Sequence, residues 1–407
     1  MKFSIATAAL LAIPTLASAT TFFTDSFTSD SLEGWTESTT WKDKAEMGKW
    51  ELKAGAWHGD DEKDSIALTT TEDARFYGLS APLTKPIDNT GMKELVIQYV
   101  VKHEQKLDCG GAYIKLLNDP KFDAESFGGD TEYGFMFGPD ICGSSTRRTH
   151  VILTHNDKNH LVSKDVKCET DQVSHLYTMV VRSDDTFEIL IDGTSARSGS
   201  IEEEFDILHP KMIKDKSVSK PLDWVDEKQI PDPDEKKPEG HDDVPETIPD
   251  PAAVKPEDWE DEEDGEWEGP VIPNPEFNGK WAPTMIANPD YKGSWIHPEI
   301  DNPEYKADSN LHARCSTEKP CTHIGFELWQ VTAGTSFDDI YVGDSLDDAN
   351  AFAEKTFYKR VAGEKKMREA IQEEEREERR LREEERKAAE DLLEDNTGDE
   401  EEAHDEL

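Results

Sequence analysis

Basic residues are scarce: 45 Lys and Arg stand against 90 Asp and Glu in 407 residues, a formal net charge of −45. A chain so acidic repels nucleic acid and anionic membranes, and neither is expected as a partner. Beyond the first few residues there is no long apolar run, so no membrane span is expected. Enzyme signatures are missing too: there is no G-x-S-x-G, H-E-x-x-H, P-loop or C-x-x-C motif. A glycan hydrolase needs only two carboxylates, but no local context singles out a pair among the 90 acids, which makes an enzyme the weaker class. Cysteine is limited to five, enough for two disulfides and one odd thiol, with the pairing open on arithmetic alone.

What is present begins with two addresses. Lys2, an apolar run from Ile5 to Leu16 and the small residues Ala17-Ser18-Ala19 make residues 1–19 a signal peptide. His404-Asp405-Glu406-Leu407 is a retention signal read by a receptor of the secretory pathway, which places the mature chain in the endoplasmic reticulum lumen. That compartment is oxidising, so disulfides are expected. The acids cluster, with 27 against 10 bases over 206–305 and 20 against 9 from 364 onward. Such clusters attract cations, and the expected ion is Ca²⁺.

The segment from Ile213 to Tyr305 repeats itself. Isoleucines at 213, 230 and 248 open three segments with spacings of 17 and 18 residues. Gly265, Gly279 and Gly293 then open three more at an even 14, each with Trp two residues on and an Asn-Pro-Asp/Glu-aromatic near its end. Proline every few residues forbids helix and thins the backbone donors, so these units cannot make a globular core. Two triplets in sequence suit a long hairpin, the first type going out and the second returning, with Trp224, Trp259, Trp267, Trp281 and Trp295 in small cross-strand clusters. A disordered acidic linker is the alternative, but a linker needs no Trp at fixed phase.

Around this arm the pattern is β. Strand signals recur at Leu95–Glu104, Ala112–Leu117, Tyr133–Phe137, His150–His155, Tyr177–Arg182 and Phe187–Ile191, and again at Ile324–Val331 and Asp339–Val342. They predict an antiparallel sandwich, over 20–205 and 306–363, interrupted by the arm over 206–305. Apolar residues at 346, 349, 352, 353, 357 and 361 predict a helix docked on the sandwich; beyond Gly363 it should be a solvated, charged helix fading into an acidic tail over 364–407. Alternation places Tyr113 and Lys115 on one strand face, where an aromatic ring and an ammonium suit a carbohydrate. Cys315 and Cys321 read most simply as a local bridge.

The motifs KPEDW, IPDP, GEWEGP, NPDYKG and IDNPEY resemble the arm of the calreticulin and calnexin family, and the resemblance extends over nearly the whole chain. It implies a mainly β fold, a legume-lectin-like jelly-roll sandwich with an inserted extended Pro-rich hairpin arm and a C-terminal α-helix. It implies a monomeric, calcium-binding lectin chaperone for monoglucosylated high-mannose N-glycans on folding glycoproteins; a lumenal calcium buffer with weak glycan binding is the alternative. It pairs Cys109 with Cys142 and leaves Cys168 free. Its glycan-binding positions fall on Tyr113, Lys115, Tyr133, Met136 and Asp140, with Gly129 close by, and on Glu327, where the family has Asp, with Trp329 on the same face. Strict alternation would turn Met136 away from Tyr133, so a bulge or a strand end is expected there. A structural calcium ion is implied at Asp338, the main-chain oxygens of Lys63 and Ser65, and Ser26 in place of a family Gln. The arm tip, Glu262, Asp264, Glu266 and Trp267, is implied to bind a thioredoxin-fold protein disulfide isomerase.

Overall fold

A computed structural model describes residues 19–28, 31–256, 259, 265–277 and 279–402, without the side chains of 242 and 391–402. Most of the signal peptide, the retention signal, Glu262 and Asp264 lie outside the described residues. The chain divides into two compact units, Pro210–Tyr305 and the remainder.

The larger unit is a sandwich of two antiparallel sheets. One sheet runs, edge to edge, through Thr194–Ser200, Thr186–Ile191, His175–Arg182, Glu94–His103, Thr335–Gly343, Ala67–Thr70 and Trp50–Lys53, with Thr21–Asp25 also paired to Thr335–Gly343. The other runs through Lys158–Leu161, Thr146–His155, Tyr133–Cys142, Cys109–Gly111, Cys321–Gln330, Arg75–Ile87 and Thr36–Glu37, with Ile114–Leu117 set between Tyr133–Cys142 and Cys321–Gln330. Alternate residues of both sheets, among them Leu95, Ile97, Tyr99, Phe135, Phe137, Phe326 and Phe337, meet in one core. Glu94–His103 is buried on both faces, its outward Val96 and Val100 being covered by the C-terminal helices.

Those helices are Leu346–Lys355 and Phe357–Glu402. Ser345 caps the first by accepting from the Asp348 N–H at 3.1 Å. Ala349 and Ala353 form its buried stripe, and Phe357, which opens the second helix after a break at Thr356, continues the predicted spacing. Docking does not stop at Gly363, however. Glu364 is buried, accepting from the Ser174 N–H and hydroxyl at 2.7 Å each, and Arg368 is buried with its guanidinium 4.1 Å from the Trp57 ring centroid. A charged residue can dock when its partner is polar, and a count of apolar positions cannot register this.

The arm is a hairpin of three short rungs. Met212–Lys214 pairs with Glu299–Asp301, Gln229–Pro231 with Met285–Ala287, and Thr247–Pro249 with Val271–Pro273. The isoleucines stand opposite each other at every rung: Ile213 with Ile300, Ile230 with Ile286, Ile248 with Ile272. The repeated Asn-Pro clamps each rung, since Asn302, Asn288 and Asn274 donate through Nδ2 to the Pro210, Glu227 and Pro245 carbonyls at 2.8, 3.0 and 2.8 Å. Tryptophans add cross-arm donors: Trp224 Nε1 reaches the Gly293 carbonyl at 2.8 Å.

Candidate carbohydrate and cation sites

The outward face of the second sheet gathers the expected glycan positions. Ile114 and Leu116 enter the core, so Lys115 points the other way, and its strand sets it opposite Met136 and Gly325. The register between Ile114–Leu117 and Tyr133–Cys142 slips at Gly134, where Leu116 pairs with Phe135 and Leu117 with Tyr133. That bulge brings Tyr133 and Met136 into one cluster, with Tyr113 packed against it. Only glycine fits at 134, because a Cβ would come within 2.7 Å of the Arg314 carbonyl oxygen.

Lys115 is enclosed rather than exposed, at 3%. Its Nζ lies 2.7 Å from Glu327 Oε2 and 4.8 Å from the Tyr133 ring centroid. A Cβ on Gly129 would lie 3.8 Å from Glu327 Oε1, so the loop at 129 leaves that carboxylate an open approach. Asp140 lies within the strand Tyr133–Cys142, with His150 Nε2 at 3.0 Å and Arg148 Nε at 3.6 Å. Burial raises its pKa, but the His150 hydrogen bond and the His150 and Arg148 charges outweigh that and hold it below the usual carboxylate value. Burial, with the Glu327 charge adding and a hydrogen bond with Asn159 opposing, pushes the Tyr133 hydroxyl up to about 12. Tyr113 is raised further by burial, then by Glu327 and Asp140. Both phenols are therefore hydroxyl donors at neutral pH.

Trp329 is 38% exposed and lies on the same strand face as Glu327. Its ring centroid is 4.6 Å from that of Phe76, which is 5.1 Å from that of Trp41. This aromatic shelf was not legible in the sequence: Trp41 lies outside any strand pattern, and Phe76 belongs to Arg75–Ile87, a strand holding two prolines. His150, Arg148 and Asn159 were missed as well; their one-residue signals carry no spacing. Beyond Tyr133 an open polar groove of about 860 Å³ continues between Gly129, Asn159, His155, Arg314 and Lys319. Two disulfides brace the site, Cys109–Cys142 and Cys315–Cys321, while Cys168 is free and buried. Fixed carboxylates, a shared ammonium, phenol donors and aromatic faces are complementary to the hydroxyls and C–H faces of a sugar.

The model of the calreticulin family matches residues 23–265 and 242–342. The chain is 49% identical over 374 residues to the calreticulin of Chlamydomonas reinhardtii, covering 92% of this chain and 87% of that one. It is 46% identical to that of Dictyostelium discoideum, covering 88% and 82%. The solved globular domain of T. cruzi calreticulin superposes with a TM-score of 0.61 at 31% identity, covering 87% of this chain and 99% of that one. The chain belongs to the calreticulin family. Calreticulins are lectin chaperones that bind calcium, and the sandwich with its C-terminal helix is the calreticulin globular fold.

The resemblance implies a calcium ion at Asp338, and the structure brings part of the expected set together. Asp338 and Ser65 line the same cavity, Lys63 lies in the turn leading to Ser65, and Ser26 follows Asp25, whose strand partner is Ile340. As disposed, however, this set does not fit a resident ion. Asp338 Oδ1 accepts from the Asp339 N–H at 2.8 Å and Oδ2 from Arg360 Nη2 at 2.6 Å. Calcium takes about six to eight oxygens. Among the described residues no group of three or more His, Cys, Asp or Glu is placed to hold a metal.

Proposed function

We propose that this chain is a lectin chaperone of the endoplasmic reticulum lumen that binds monoglucosylated high-mannose N-glycans on folding glycoproteins and recruits a thioredoxin-fold disulfide isomerase through its arm. The observation that carries the lectin reading is the convergence of Tyr113, Lys115, Tyr133, Asp140 and Glu327 on one sheet face, with Glu327 beside Lys115 and Asp140 beside Arg148 and His150. A terminal glucose would present its hydroxyls to Asp140 and Glu327 and its apolar face to Tyr113 or Tyr133, and the following mannoses would run along the polar groove. The pairing of each acid with a base also argues against a hydrolase, whose acid would need a free proton to give. Of the isomerase positions, Glu266 is exposed and Trp267 half-buried; Glu262 and Asp264 lie outside the described residues. An acidic rim around an aromatic anchor suits a basic partner captured fast and held weakly.

The calcium-buffer alternative draws least support from the terminal helix. Several of its acids are paired with its own bases, as in Glu378–Arg382 at 2.9 Å, Glu390–Arg386 at 2.9 Å and Glu383–Lys387 at 3.4 Å. Such pairs dilute the charge available to an ion. A glycan array decides between the readings: selective retention of glucose-capped oligomannose supports the lectin, and uniform absence of signal supports the buffer. Release of free glucose from a labelled oligosaccharide would instead establish a hydrolase.

A further inference from the structure

Where family resemblance centres a calcium ion, the chain carries a cation of its own. Asp338 and Asp339 are consecutive strand residues, yet both carboxylates turn to the same side, because Asp339 adopts a left-handed φ of +46° within an irregular stretch of the ladder between Asp338 and Tyr341. Between them lies Arg360, 6% exposed, with Nη2 2.6 Å from Asp338 Oδ2 and Nη1 2.6 Å from Asp339 Oδ2. Arg360 thus spans two buried carboxylates, with a charge-assisted hydrogen bond to Asp338 and a close ion pair to Asp339. The cavity that remains, between Ser65, Asp338, Arg360 and Glu364, is only about 10 Å³ and can take one water at most.

Independent packing holds the guanidinium there. The helix Phe357–Glu402 rests on the loop that supplies Lys63 and Ser65 through two glycines: a Cβ on Gly59 would lie 2.6 Å from Arg360 Cβ, and a Cβ on Gly363 would lie 2.8 Å from Asp60 Oδ1. Lys359 pairs with Asp64 on the same loop. Arg360 thus joins helix, loop and strand at the point where a divalent ion would otherwise join loop and strand.

We propose that Arg360 replaces the structural calcium ion of this sandwich, so that the globular unit of this chain holds its fold without calcium at Asp338. The test is thermal unfolding of the full chain, followed by near-ultraviolet circular dichroism in excess EDTA and in micromolar to millimolar CaCl₂ at constant ionic strength. The wild type should unfold within about 2 °C in both, and Arg360→Ala should unfold about 5 to 10 °C lower in EDTA, since a buried carboxylate pair is left without its cation. Should Arg360→Ala fail to fold, the wild-type comparison decides alone, with Asp338→Asn as its control. A wild-type rise of several degrees at micromolar calcium that Asp338→Asn removes would overturn the proposal, as would an Arg360→Ala variant that unfolds with the wild type.

Discussion

Lys115 shows how one side chain can serve two neighbours: its ammonium neutralises Glu327 and faces the Tyr133 ring, so the site is ordered before any sugar arrives. A comparable economy occurs on the other sheet at His175. Its Nδ1 lies 2.8 Å from Asp192 Oδ2 and its Nε2 2.8 Å from Asp171 Oδ1. Burial would lower the imidazole, but the two hydrogen bonds and both charges overcome it and hold the pKa at about 9. A group raised in the folded state stabilises fully below its unfolded value near 6.5, and that contribution is lost as pH rises through about 9. Urea unfolding should therefore show the wild type losing roughly 3 kcal/mol relative to His175→Gln between pH 6.5 and 9.5. Parallel pH profiles for the two proteins would mean that the histidine is neutral in the fold.

At the scale of elements, legibility followed periodicity. The arm was readable because its isoleucines and Asn-Pro pairs recur at fixed phase, and the cross-arm pairs Ile213–Ile300, Ile230–Ile286 and Ile248–Ile272 are the physical content of that recurrence. Strands with clear β-rich runs, such as His175–Arg182 and Thr186–Ile191, were equally visible. Arg75–Ile87 was hidden by Pro82 and Pro86, and Thr194–Ser200 by its small polar residues, although each completes a sheet. The clustering of the candidate glycan residues was legible from the resemblance and in part from the alternation at Tyr113 and Lys115. The aromatic shelf and the Asp140–His150 pair depend on cross-strand register, which local pattern does not encode. In the arm, each rung has its own asparagine clamp beside its isoleucine pair. Asn288→Ala should speed amide exchange at the Ile230–Ile286 rung by about 5- to 10-fold and leave the Ile213–Ile300 rung unchanged, because a quasi-one-dimensional structure transmits little between repeats. Equal acceleration along the whole arm would show that it unfolds as one cooperative unit.

For the molecule as a whole, the chain separates into two compact units, Pro210–Tyr305 and the rest, and the two proposed binding roles fall on different units. Trp267 belongs to the arm, packed beside Gly269, whereas the glycan face belongs entirely to the sandwich. Trp267→Ala should thus weaken binding of a thioredoxin-fold isomerase by at least 10-fold, as loss of an aromatic anchor commonly does, without altering glycan affinity. A titration in which both affinities fall together would mean that the units do not act independently.

The lectin reading meets its most direct test in calorimetric titration of glucose-capped and uncapped oligomannose into the full chain, its Lys115→Ala variant and its Asp140→Ala variant. The wild type should bind the capped glycan and not the uncapped one, and both variants should lose that binding while retaining the near-ultraviolet spectrum of a packed core, since each leaves sugar hydroxyls or a site carboxylate without a partner. Wild-type affinity in both variants, or no binding of the capped glycan by the wild type, would contradict it.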